Sequence, residues 1–258
     1  MKGNLSPVTT AARSPDPAAR APSPEAPPLE RRLPGWLGQA LIVTRKDLLI
    51  ELRTGEVTTT SSLFALLVVV MASFAFYGGP STRNLVASGV IWLSVAFAAV
   101  LALGRTWQRE REDGALEALL VAPIAKSAVF AGKALGILIF LVIVELVVAP
   151  LTGLLFALDV ARVGPALAVV ALVATPGIAA SGTLFGVMTI RTRARDLLLA
   201  IVLFPLLSPV LLTAVAATRE LLSGAALVEL ADYLKLMLIF DVTFVAGGLA
   251  LFGTLTEA

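Results

Sequence analysis

Two carboxylic acids stand inside otherwise apolar runs, Glu145 in LVIVELVVAP and Asp241 in IFDVTF. An ionised carboxylate at the centre of a membrane span costs about 2.5–3.5 kcal/mol on insertion scales, so each should face neighbouring helices or a wet cavity. Such an acid can relay a proton, line a pathway or contact a partner. It can equally be a hydrogen-bonded structural carboxyl. For Glu145, near the middle of its run, both readings stay open. Asp241 lies closer to the outer end of its run, within reach of the headgroups, which favours the structural reading. The two could also share one site. Little other chemistry is available. The chain has no histidine and no cysteine, which excludes imidazole acid–base chemistry, imidazole and thiolate metal ligation and a thiol nucleophile. With no H-E-x-x-H and no paired-aspartate motif, an intramembrane enzyme fares poorly. No G-x-x-x-x-G-K-[ST] loop occurs either, so the chain cannot bind ATP by that motif.

The elements that must position these acids follow from hydropathy. Of 258 residues, 58% are hydrophobic, and the mean hydropathy of +0.92 is too high for an ordinary soluble domain. Six runs can cross about 30 Å of hydrocarbon. They lie near Thr58–Tyr77, Leu85–Gly104, Ala134–Leu158, Pro165–Ile190, Leu197–Ala217 and Leu236–Leu255. In lipid each backbone amide must be satisfied within its own segment, so the class is all-α, a polytopic six-helix membrane bundle. Six crossings place both termini on one side. That side carries 16 of the 20 basic residues, the opposite side only Arg83, Arg162, Arg219 and Lys235. The termini are therefore expected in the cytoplasm.

Three segments are expected. Residues 1–33 are rich in Pro, Ala and Ser and should form a disordered cytoplasmic tail. Residues 34–56 place Leu37, Leu41, Leu48 and Leu52 near helical spacing, with Arg45, Lys46, Asp47, Glu51 and Arg53 on other faces. Its charges forbid a span, so it reads as an amphipathic helix on the membrane interface. Residues 57–258 hold the six spans. The connection ELLSGAALVELADYLK before the sixth reads as a partly amphipathic outer helix.

Between the second and third spans lies EREDGALEALLVAP. Asp113 is a plausible N-cap, Gly114 eases the turn, and Pro123 stops the helix. Leu116, Leu119, Leu120 and Pro123 follow i, i+3, i+4, i+7, and Asp113 and Glu117 suit the positive helix end. The expected product is a short cytoplasmic helix with a leucine face. That face can pack back on the bundle or the headgroups, or dock into a groove on another protein. Pro150, Pro176, Pro205 and Pro209 interrupt the backbone donors of the spans, as kinks or hinges, with Thr175 and Ser208 placed to re-satisfy freed groups. Gly132/Gly136 and Gly182/Gly186 have helix-contact spacing, for contacts within the chain or to a second membrane subunit.

The acidic-Gly-x-Leu-Glu-x-Leu-Leu-x-x-Pro loop, followed by Ala131-Gly132-Lys133, resembles the cytoplasmic coupling helix of ABC-2 class permeases of ABC transporters. Within that class the chain resembles the haem exporter protein B family of cytochrome c maturation. The residues that carry this are Gly89-Val90-Ile91-Trp92, Glu112 to Glu117, Thr175-Pro176, Gly182 to Gly186, and Phe204-Pro205-Leu206-Leu207-Ser208-Pro209-Val210-Leu211. The resemblance implies a non-catalytic permease subunit in a bacterial cytoplasmic membrane. It further implies an ABC ATPase partner, as a pair, which holds the ATP and docks on Asp113, Gly114, Leu116, Glu117, Leu119, Leu120 and Pro123. A haem-handling membrane protein of the same system would be a second partner, with haem the cargo of the complex and no cofactor bound by this chain. The lipid bilayer is its solvent, and no nucleic-acid role is needed. An ABC-2 permease for a drug, lipid or polysaccharide is the alternative, and a proton-driven transporter working through Glu145 a third reading.

Overall fold

Gly55 decides where the first helix gives way to the first segment long and apolar enough to cross a membrane. It adopts φ 61°, a left-handed conformation open to glycine, and its N–H bonds the Glu51 carbonyl at 2.7 Å. Helix α1 (Trp36–Thr54) therefore ends and α2 (Glu56–Ala75) begins across one residue. The computed structural model describes residues 34–76, 79–112, 122–189 and 195–257. The tail over 1–33 and the loop over 113–121 lie outside the described residues.

The remaining elements are α3 (Pro80–Glu112), α4 (Lys126–Leu155), α5 (Val160–Thr189), α6 (Arg195–Leu222), a 3-10 turn (Leu227–Leu230) and α7 (Ala231–Glu257). Six segments are long and apolar enough to cross a membrane, and there is no strand among the described residues. The fold is an all-helical polytopic bundle. Pro80 starts α3 at the first helical position, where its missing N–H costs nothing. At 33 residues, and about 1.5 Å each, α3 outruns the hydrocarbon core by several turns. The surplus carries Arg105, Arg109 and Glu110 to the root of the loop.

Lipid supplies no hydrophobic drive between helices, so close packing must hold them. α3 is the most enclosed span, with Ala87, Ser88, Ala96, Ala98, Ala99 and Ala102 all buried. Its Trp92 is buried too, and the indole N–H donates to the Thr218 hydroxyl of α6 at 2.8 Å. Both glycine pairs serve contacts within the chain. A Cβ at Gly182 would meet Leu103 and one at Gly186 would meet Trp107, joining α5 to α3. Gly132 faces Ala40 and Val43, and Gly136 faces Asp47, joining α4 to α1.

Two expectations need correction. Residues 227–256 form one continuous span segment, so ELLSGAALVELADYLK makes no separate outer helix. α6 instead closes at Gly224 (φ 105°), where the Ala225 N–H bonds the Glu220 carbonyl at 3.0 Å, and the chain re-enters directly through the 3-10 turn. The second concerns the prolines. Pro176 frees the Leu172 carbonyl and Pro209 frees the Pro205 carbonyl, four residues back. Yet Thr175 donates to Ala171 at 2.7 Å and Ser208 to Phe204 at 2.8 Å. Each hydroxyl bonds its own i−4 carbonyl and not the i−3 carbonyl that the neighbouring proline frees. α4, α5 and α6 run unbroken through Pro150, Pro176, Pro205 and Pro209.

Candidate functional site

The loop over 113–121 has two roots, and both are charged. On the α3 root, Arg105 and Arg109 sit one turn apart and Glu110 follows; on the α4 root stands Lys133. α1 lies across them. Its residues Lys46, Asp47 and Glu51 point inward, while Leu37, Leu41 and Leu52 are exposed. Helix α1 is thus laid with much of its apolar side outward and part of its charge toward the bundle.

Lys133 is the hub. Its side chain is 1% exposed, and its ammonium donates to Glu110 Oε1 at 2.8 Å and to Asp47 Oδ2 at 3.1 Å. The same Nζ lies 5.4 Å from the centre of the Trp107 ring, inside cation–π range. Lys46 bonds Glu110 Oε1 as well, and pairs with Asp47 at 3.2 Å. Burial opposes the charge of Lys46, but Asp47 and then Glu110 outweigh it and raise its pKa above the ordinary value. A raised lysine pKa stabilises the fold at neutral pH and is lost only as pH climbs through the folded value.

A second cluster adjoins the first. Arg109 donates to Glu51 at 3.1 Å and to Glu56 at 3.0 Å, and Arg105 pairs with Glu56 at 3.0 Å. Glu51 also accepts from the Thr58 N–H at 2.7 Å and its hydroxyl at 2.9 Å, bracing the Gly55 turn. The two clusters border one cavity of about 300 Å³ between α1, α3 and α4. At its other end α1 is pinned by Trp36 Nε1 to Ser127 Oγ at 2.9 Å. Gln39 Oε1 accepts there from the Ala125 N–H, just before α4, at 2.8 Å. Along the middle, Thr44 donates to the Gly132 carbonyl at 2.9 Å.

Mechanically, the arrangement does one thing. It ties the end of α3, through Glu110, and the start of α4, through Lys133, to each other and to α1. Low local dielectric makes these bonds stiff and costly to break singly. Among the described residues no group of three or more His, Cys, Asp or Glu is placed to hold a metal ion.

Of the loop residues chosen from sequence, Asp113, Gly114, Leu116, Glu117, Leu119 and Leu120 lie outside the described residues. Pro123 is exposed in the bend before α4. The intramembrane acids are better resolved. Glu145 of α4 and the Thr175 hydroxyl of α5 meet at 2.5 Å. Asp241 does not reach the headgroups: it lies about midway along the segment Leu227–Thr256, 7% exposed, packed over Gly177 of α5. Its Oδ1 is buried without a hydrogen-bond partner among the described residues. Residues 175 and 177 are about 200° apart around α5, so the two acids flank it on different sides and do not share a site. Pro176 is half-buried, whereas Pro150, Pro205 and Pro209 are exposed on the outside of the bundle.

Sequence reasoning treated Lys46, Asp47 and Glu51 as polar faces and Lys133 as an orientation signal. A pairing cue was present. Asp47 and Glu51 repeat at i, i+4 on α1, as Arg105 and Arg109 do on α3.

Similarity to known proteins agrees with this architecture. The model of the CcmB protein family matches residues 39–254. Heme exporter protein B of Bradyrhizobium diazoefficiens is 30% identical over 180 residues, covering 70% of this chain and 81% of that protein. Its namesake from Rhodobacter capsulatus is 32% identical over 187 residues, covering 70% and 83%. That of Paracoccus denitrificans is 30% identical over 190 residues, covering 72% and 84%. With six segments long and apolar enough to span a membrane and a family match across most of its length, the chain belongs to the CcmB protein family.

Proposed function

We propose that this chain is the membrane subunit of a haem export system serving c-type cytochrome biogenesis, driven by a separate ATPase. Family membership and the names of the relatives, heme exporter protein B, support the cargo class. The observation that carries the coupling mechanism is the three-way contact of Lys133 with Glu110 and Asp47. It spans both roots of the loop and the interfacial helix, so force applied at 113–123 moves α1, α3 and α4 together. An ATPase pair would seat on Leu116, Leu119 and Leu120, with Asp113 and Glu117 beside them, and close on ATP to tilt the bundle. Catalysis belongs to that partner. This chain holds no cofactor, and a haem-handling membrane protein of the same system holds the iron. The membrane is the bacterial cytoplasmic one, with both termini inside, as the 16-to-4 division of the 20 basic residues supports.

Co-purification of the ATPase with a Leu119→Asp, Leu120→Asp double variant tests the docking. Binding should fall to background while the variant still inserts and folds. Undiminished binding would sink the assignment. Driven by ATP, the cycle needs no proton on Glu145. Glu145→Gln keeps a polar partner for Thr175 and removes the titratable group, so cytochrome c maturation should persist in a complementation assay. Its abolition, together with transport in vesicles lacking the ATPase, would point to a proton-driven cycle instead.

A further inference from the structure

The end of the bundle opposite the termini carries only four basic residues, Arg83, Arg162, Arg219 and Lys235. Two are satisfied locally: Arg219 pairs with Glu220 at 3.1 Å and Lys235 with Asp232 at 2.9 Å. Arg83 and Arg162 have no ion pair among the described residues, yet they converge from α3 and α5 on one cavity of about 270 Å³. Of the other polar groups of that cavity, Asn84, Ser223 and Asp159 each make a local hydrogen bond, and the Asp159 carboxylate, without an ion pair among the described residues, leaves one negative charge beside the two guanidiniums. Asn84 donates to the Leu222 carbonyl at 2.9 Å, and Asp159 Oδ1 accepts from the Arg162 N–H at 3.2 Å at the start of α5. The mouth therefore sets two guanidiniums without an ion pair among the described residues against one carboxylate, a net positive site at the end of the bundle where basic residues are scarce.

Directly beneath lies a second cavity of about 270 Å³ between α4 and α5, which shares Leu158, Val163 and Leu222 with the first. Its lining is almost wholly apolar, and Glu145, engaged with Thr175, is its one ionisable residue. Leu146 and Leu172 on its rim are both exposed, so the cleft opens sideways toward lipid. From Gly153 to Glu145 it runs along α4 for about 12 Å at 1.5 Å per residue, close to the depth of one leaflet. Neither lining contains a His, Cys, Met or Tyr to serve as an axial base for iron.

We propose that this cleft binds an anionic phospholipid from the leaflet opposite the termini, its phosphate between Arg83 and Arg162 and one acyl chain running toward Glu145. The site is independent of the cargo and of ATPase docking. Guanidinium forks suit phosphate oxygens, and the apolar slot continues directly from them.

Native mass spectrometry of the full-length chain in detergent, offered equal phosphatidylglycerol and phosphatidylcholine, tests it. The wild type should retain phosphatidylglycerol, and Arg83→Gln with Arg162→Gln should lower that retention roughly tenfold or more. Arg219→Gln with Lys235→Gln, which changes the same surface charge, should leave it unaltered. Ala168→Trp should exclude the lipid while both arginines remain. Each variant is compared at an unchanged thermal unfolding midpoint. Equal retention by the Arg83/Arg162 variant, or equal loss in the Arg219/Lys235 variant, overturns the site. Displacement of the lipid by inorganic phosphate alone would reduce it to a simple anion site and likewise overturn the proposal.

Discussion

Lys133→Ala is expected to destabilise the protein by about 3–5 kcal/mol, the cost of removing one partner from a buried ion pair. The size follows from what is left behind. Glu110 is itself only 5% exposed, its Oε2 already lacks a hydrogen-bond partner among the described residues, and its Oε1 would keep Lys46 alone. Asp47 would lose its second cation at the same time. Thermal unfolding in a fixed detergent, together with the level of protein in membranes, measures this. The control is Arg105→Ala. Arg105 and Glu56 are 47% and 48% exposed, and a pair so open to solvent is worth about 0–1 kcal/mol. A second variant separates stability from coupling. Lys133→Met with Glu110→Gln removes the charges together, so most of the lost stability should return, because a neutral pair leaves little uncompensated charge. Cytochrome c maturation should stay impaired, since the one charged junction shared by α1 and both loop roots is gone, and Arg109–Glu51 and Thr44–Gly132 then hold the two roots to α1 separately. Lys133→Ala and Arg105→Ala behaving alike would show that the hub carries no special weight.

Gly132→Ala should release α1 from the bundle without dismantling the six spans. The added Cβ would sit 2.6 Å from the Ala40 carbonyl oxygen and 2.7 Å from Val43 Cβ. One of these contacts is backbone, so no rotamer change relieves it, and α1 must lift. Overpacking of this kind costs about 1–3 kcal/mol, which raises the open population roughly five- to 150-fold. Lifting α1 strains the Thr44–Gly132, Trp36–Ser127 and Lys133–Asp47 bonds together. Limited trypsin digestion reads the effect, through faster cleavage at Arg45, Lys46 and Arg53. Gly247→Ala is the matched comparison, because a Cβ there meets nothing within 4 Å. Alanine favours a helix interior by about 1 kcal/mol over glycine, so on propensity alone both variants should gain stability. Opposite signs at the two positions would locate the effect in the α1–α4 contact. Equal digestion rates would count against it.

Both results bear on one mechanical idea: α1 is part of the lever. A helix that only rested on the membrane surface would be held by lipid and would tolerate either substitution. Here its inward charges and the Gly132 groove seat it on the protein.

The architecture was legible in the sequence wherever the physics is local. The number of spans comes from run length against bilayer thickness. The charges of residues 45–56 put the sequence boundary after residue 56, whereas the helices part at Gly55 and Glu56 already opens α2. Contacts between distant residues were not legible. Lys133 is 23 residues from Glu110 and 86 from Asp47, and nothing local marks which basic residue will be enclosed. Asp241 looked peripheral because the apolar run was started at Leu236. In the fold the segment begins at Leu227, since Leu230 is buried and the turn before it is tight, and that shift carries the acid inward. The two acids could have faced one another on any pattern of hydropathy. Only the placement of α4 and α7 on different sides of α5 sets Glu145 against Thr175 and Asp241 against Gly177. Hydropathy measures what each segment prefers as solvent. Which helix lies beside which is decided by small-residue grooves and buried charge pairs, and those exist only once the chain has folded.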